Sequence, residues 1–174
     1  MQPKISDSGP ILLAGMSFYG DPFDMHSGWD EDNHIGRLWK RFTDYLSENP
    51  KWMLSGRLPN GWPKAMYEVH IYSAETHLKG LFEVFVGVEC APQEVGDVPI
   101  ELCVKPLPAG SYAVFTFSGR DIVVDWEQDI QAWLAASGYR SAHAFNFQYY
   151  DERFKGLDRL EESVLDVYVP ITDA

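Results

Sequence analysis

Glu68, His70 and Tyr72 stand two residues apart, and so do Asn146, Gln148 and Tyr150. In a β-strand that spacing sets side chains on one face, so each triplet is a row of polar and aromatic groups. A carboxylate framed by aromatic rings suits a cation, because the charge is neutralised while the ring faces attract it. The same carboxylate has a second use as a general base that activates water. Two further stretches, FEVFVGVE (82–89) and LDVYVPI (165–171), share one pattern. Phe82, Val84 and Val86 answer to Leu165, Val167 and Val169, while Glu83 and Phe85 answer to Asp166 and Tyr168.

The elements that must position these residues also occur twice. GPILLAGMSFYG (9–20) and AGSYAVFTFSG (109–119) both run as apolar β-formers between glycines. An amphipathic helix follows each. In the first, Ile35, Leu38, Phe42, Tyr45 and Leu46 form the apolar stripe, Asp32 or Asn33 is the N-cap and Pro50 ends the run. In the second, Ile122, Trp126, Ile130, Trp133 and Leu134 form the stripe and Gly138 the stop. MYEVHIY (66–72) and AFNFQYY (144–150) come next, and then the paired stretches quoted above. The order β-α-β-β, written twice, predicts an α+β fold with pseudo-twofold symmetry: antiparallel sheet, both helices on one face, and a ligand cleft between halves at about 5–92 and 100–174. The whole of 1–174 is read as one domain, with Pro/Gly/Asp-rich insertions at 21–33 and 51–64 and a counterpart at 152–163.

If the aliphatic rows of 82–89 and 165–171 turn toward the helices, the other sheet face carries Glu68, His70, Tyr72, Glu83, Phe85, Asn146, Gln148, Tyr150, Asp166 and Tyr168. A merely solvated face is ordinarily rich in Lys, Thr, Ser and Arg, and this set has none of them. Trp39, beside Leu38, is either core or an aromatic wall, and Tyr112 completes the candidate ligand-binding residues. Trp29, Trp52 and Trp62 lie in the irregular insertions, where at least one is expected to fold over the cleft or to form an interface.

Composition narrows the partners. A net charge of −12 disfavours nucleic acid and anionic membranes, and leaves cations as natural guests. Aromatic residues make up 14% of the chain, more than packing alone demands. The start lacks a basic segment followed by an apolar one, and nothing approaches the roughly 18 apolar residues of a membrane span, so a cytoplasmic protein is expected. Cys90 and Cys103 form no CxxC and read as reduced. His26, His34, His70, His77 and His143 are scattered without metal-ligand spacing, and no phosphate-binding glycine motif occurs, so no metal or cofactor is expected.

GPILLAG, LWKRF (38–42), FVGVE (85–89), PAGSYAVFTFSG (108–119), SGYRSAHAFNFQYYDERF (137–154) and LDVYVPI together resemble the GyrI-like small-molecule-binding domain, the effector-binding domain of AraC-type and MerR-type regulators. The resemblance implies two β-α-β-β units around an aromatic-lined cleft floored by a glutamate. That glutamate falls at position 148, where this chain has Gln148, so Glu68, Glu83 or Asp166 is expected to supply the charge. The expected function is a stand-alone binding protein for amphipathic, cationic aromatic molecules, without a DNA-binding module and linked to transcription through a protein partner. Relatives imply two alternatives, a hydrolase of reactive small molecules and a gyrase-inhibitor-like interaction module. A haem-binding group of the same fold would leave His70 as ligand.

Overall fold

The computed structural model describes residues 2–24, 28–49 and 63–174. In chain order the elements are β1 (Lys4–Ser8), β2 (Ile11–Gly20), α1 (His34–Glu48), β3 (Met66–Ile71), α2 (Ala74–Lys79), β4 (Phe82–Glu89), β5 (Cys103–Leu107), β6 (Gly110–Ser118), α3 (Glu127–Ser137), β7 (Tyr139–Ser141), β8 (Phe145–Tyr150) and β9 (Val164–Asp173). The predicted β-α-β-β order holds twice, as β2-α1-β3-β4 and β6-α3-β8-β9.

All strands join one antiparallel sheet in the order β1-β6-β9-β8-β3-β4-β2-β5, with β7 on β9. The halves meet at the β3–β8 seam. Each half's leading strand crosses over, since β1 pairs with β6 of the second half and β5 with β2 of the first. Only Gly9–Pro10 separates β1 from β2, and only Pro108–Ala109 separates β5 from β6. Strands so joined lie at opposite ends of the order, and links this short cannot span a flat sheet, so the sheet curls.

Asn33 caps α1, its side chain accepting from the Gly36 amide at 2.9 Å. The second helix starts later than its apolar spacing suggests. Gly119–Val123 forms a separate 3-10 turn, with Gly119 at φ +56° and Val124 extended, so Ile122 is buried from the turn and helix begins at Glu127. Both helices cover the same sheet face. Leu38, Phe42 and Leu46 of α1 pack with Met16, Val84 and Val86, and Ile130 of α3 with Phe115, Phe117 and Val167. Trp39 and Met66 touch both clusters and lie along the line between them.

Strand register corrects the expected division of the two faces. Glu68 is paired with Val86 and His70 with Val84, and directly opposed residues of antiparallel strands share a face. The Glu68 row therefore lies with the aliphatic rows, under the helices. Gln148 pairs with Val167, while Phe147 pairs with Tyr168 and Tyr149 with Asp166. Glu83, Phe85, Tyr112, Asp166 and Tyr168 thus occupy the opposite face, separate from Glu68. There Phe85, Tyr112 and Phe147 are buried with Leu13, Tyr67, Val69 and Leu107 inside the curl. Alternation sorts the side chains within each strand, and the pairing between strands decides which row of one joins which row of the next.

At Gly15 the backbones of β2 and β4 approach too closely for a side chain: a Cβ would stand 2.0 Å from the Val86 carbonyl oxygen and 2.6 Å from the Gly87 Cα. Gly15→Ala is expected to lower unfolding free energy by about 1–3 kcal/mol, the usual cost of overpacking. Gly9→Ala, which meets nothing within 4 Å, should stay within about 0.5 kcal/mol of the parent. Urea denaturation of both variants measures the difference.

A candidate ligand cavity between the helices

Glu68 sits in the centre of the β3–β8 seam with 4% of its surface exposed. Burying an ionised carboxylate is costly unless its oxygens are hydrogen-bonded, and here they are. Oε1 accepts from His70 Nε2 at 2.7 Å and from Gln148 Nε2 at 2.9 Å, while Oε2 accepts from the Trp39 indole N–H. Gln148 is held in turn by the Tyr150 hydroxyl, which donates to its Oε1 at 2.7 Å. Burial, then the Glu68 charge, hold the Tyr150 phenol well above its usual range, so it remains a donor. The result is a directed chain, Tyr150 to Gln148 to Glu68, with two further donors closing on the same carboxylate.

Position 148 is directly opposite 68 across the seam. Glu68 therefore sets a carboxylate, from the neighbouring strand, close to the point where the resemblance places one. Of the three acids considered for that part, Glu68 is the one that lines the cavity. Glu83 pairs with Lys105 at 2.8 Å, and Asp166 binds Thr116 at 2.6 Å and Arg153 at 2.5 Å, both on the opposite face.

Above this floor lies a cavity of about 1380 Å³ bounded by α1, α3, β3 and β8. Trp39 meets Tyr150 edge-on at 4.9 Å between ring centroids, and Tyr150 meets Phe154 likewise at 4.9 Å. At the other end Phe82 stands 5.3 Å from His70 and 5.6 Å from Tyr72. Asn146 reaches across the seam to the Tyr72 hydroxyl, donating from Nδ2 at 2.9 Å. Asp30, Glu31, Asp125, Glu127, Asp151 and Glu152 also line the cavity, against Lys40 and Lys64, so its field is negative.

The structure thus brings Trp39, Glu68, His70, Tyr72, Gln148 and Tyr150 to one cavity, and leaves Glu83, Phe85, Tyr112, Asp166 and Tyr168 away from it. Trp29 lines the cavity and packs against the second helix's cluster, whereas Trp52 and Trp62 lie outside the described residues. Sequence reasoning missed Met66, Phe82, Trp126, Glu127 and Phe154 as lining residues. Phe82 belongs to the row of 82–89 that turns toward the helices and Trp126 to the stripe of the second helix, positions whose spacing signals packing and not a ligand wall. Among the described residues no group of three His, Cys, Asp or Glu is placed to hold a metal ion, and no helix is long and apolar enough to cross a membrane.

Comparison with known proteins joins these features. Residues 1–172 match the GyrI-like small molecule binding domain. The transcriptional regulator BrlR of Pseudomonas aeruginosa is 29% identical over 175 residues, covering 98% of this chain and 56% of BrlR, so the chain spans about half the regulator's length. Among solved structures, SAV2435 bound to tetraphenylphosphonium superposes with a TM-score of 0.67 at 14% identity, over 99% of this chain and 94% of its own. A hydrolase encoded by lin2189 from Listeria innocua gives 0.55 at 10% identity, over 98% and 92%. At such identities the structural matches speak for the fold, and the match along the sequence speaks for the family: this chain belongs to the GyrI-like small molecule binding domains.

Proposed function

We propose that the protein binds amphipathic aromatic cations in the cavity between α1 and α3, as a sensor or sequestering protein. The observation that carries this reading is Glu68, a carboxylate 4% exposed at the floor of an aromatic-walled cavity. Its ionic partner among the described residues is a histidine, His70. A cation that fills the cavity meets this carboxylate away from bulk water, where the attraction between opposite charges is strengthened. Trp39 and Tyr150 add ring surface for the apolar and π contacts of an aromatic guest. SAV2435, which shares the fold, was solved with tetraphenylphosphonium, a guest of this chemistry. A link to transcription rests on BrlR and would run through whatever the chain is coupled to.

Turnover is disfavoured by the same hydrogen bonds. A general base must hold an attacking water, and Trp39, His70 and Gln148 already engage three of the roughly four lone-pair positions of the Glu68 carboxylate. Ligand recovered after long incubation should be chemically unchanged by mass spectrometry.

Fluorescence titration with tetraphenylphosphonium, against neutral triphenylphosphine oxide, tests the proposal. Glu68→Gln should weaken the cation by about 1–3 kcal/mol and leave the neutral compound nearly unaffected. No difference between the cation and the neutral compound in the parent protein would sink it. Gln148→Glu sets a second carboxylate beside Glu68, and two such groups in contact share a proton. The folded variant then binds a proton that the unfolded chain has lost by neutral pH. Its stability relative to the parent should fall by about 1–3 kcal/mol as pH rises from 4 to 7, and a bound cation should restore it. Thermal melts across that range, with and without tetraphenylphosphonium, provide the check.

A further inference from the structure

The ring pair at one end of the cavity is repeated at the other. Tyr150 with Phe154 stands at the Glu68 end and Tyr72 with Phe82 at the far end, their ring centroids 4.9 and 5.6 Å apart. Tyr72 and Tyr150 hold the same place in the repeated segments MYEVHIY (66–72) and AFNFQYY (144–150). Phe23, 40% exposed, widens the far pair, its ring 6.3 Å from that of Phe82. The repeat stops at the charge. Asn146 has the place in its segment that Glu68 has in the other, so the far end takes no carboxylate from the strand. One comes instead from α3. Glu127 is partly exposed, lines the cavity, and accepts from a neutral amide, Gln131 Nε2 at 2.8 Å. Its carboxylate is near enough to the Tyr72 hydroxyl that its charge is, after burial, the main influence raising that phenol. An acid in the first turn also suits the helix dipole, but Asp129, exposed in the same turn, does that without lining the cavity.

We infer that Tyr72, Phe82, Phe23 and Glu127 form a second subsite for a cationic aromatic head, so that the cavity takes two-headed ligands, two aromatic cations joined by a flexible apolar chain. This rests on the cation-binding reading of the same cavity and narrows its ligand class. The size of the cavity agrees, since about 1380 Å³ exceeds the roughly 300–1,000 Å³ of pockets that enclose one drug-sized ligand. The span follows from the sheet. The Tyr72 amide donates to the Ala144 carbonyl at 2.8 Å, which extends the β3–β8 ladder to that residue. Glu68 and Tyr72 are four residues apart along it, roughly 13 Å, and the joining chain must cover a distance of that order. Glu127 is less buried than Glu68, so its charge is more screened. The far subsite therefore holds a lone cation weakly and contributes when the first head is already anchored over Glu68.

Decamethylene-bis(triphenylphosphonium) tests this against two controls. Decyltriphenylphosphonium keeps the chain and one head, and tetramethylene-bis(triphenylphosphonium) keeps both charges on a chain too short to span the subsites. In fluorescence titrations the long two-headed compound should bind the parent at least about tenfold more tightly than either control, the gain from tethering a second contact. Glu127→Gln, which keeps the size of the side chain, should cut that ratio about three- to fivefold, the worth of a partly exposed ion pair. Adding Phe23→Ala should remove most of what is left, and thermal melts verify that the variants are folded. No preference in the parent, a short two-headed compound as tight as the long one, or a preference undiminished in the double variant each overturn the second subsite and leave cation binding intact. Failure of all three compounds to bind would contradict the cation-binding reading itself.

Discussion

One buried carboxylate organises the molecule. Glu68 stands where the two halves of the sheet are stitched together, facing Gln148 directly across the seam. A charge in that position is tolerated only while Trp39, His70 and Gln148 all point their donors at it. Those donors come from α1, from Glu68's own strand and from β8, so the first helix must be docked and both halves in register before the carboxylate is satisfied. The site is therefore also a condition on the fold. Its polar network lies under Trp39 and Met66, which belong to both helix clusters, and any loosening between the halves would expose it.

Duplication explains the division of labour between the two sheet faces. The helices cover one face at its two ends and leave the middle, above the seam, as a cavity. The other face curls inward on Phe85, Tyr112, Phe147 and Val69 and becomes ordinary core. Exchange of β1 and β5 between the halves holds that curl closed at one end. A rigid, strand-built floor with side chains locked by mutual hydrogen bonds is well suited to recognition, because little has to be ordered when a ligand arrives.

The repeated β-α-β-β order, the stripe of the first helix and the Glu68–His70–Tyr72 row could be read along the chain, since each is a local pattern, and the cap was narrowed to Asp32 or Asn33. Register between strands could not. Glu83 and Asp166 looked equivalent to Glu68 because each alternates with apolar residues, yet the pairing of Glu68 with Val86 sends them to the opposite face, where Lys105, Arg153 and Thr116 take them up. Alternation fixes the rows within a strand, and only long-range pairing decides which rows share a surface. Ile122 misled for a related reason, its burial coming from a 3-10 turn that happens to continue the helical spacing. At Gln148 the resemblance led to the expectation of an acid nearby, and Glu68 stands directly opposite that position across the seam.

The central claim, that a cation is held over Glu68 between the two helices, is tested most directly by crystals grown with tetraphenylarsonium, whose arsenic is located by anomalous scattering. The account predicts one strong anomalous peak within about 6 Å of the Trp39 or Tyr150 ring centre, on the helix-covered face beside the Glu68 carboxylate. A peak on the opposite face near Asp166 and Tyr168, with the cavity above Glu68 unfilled, would contradict it.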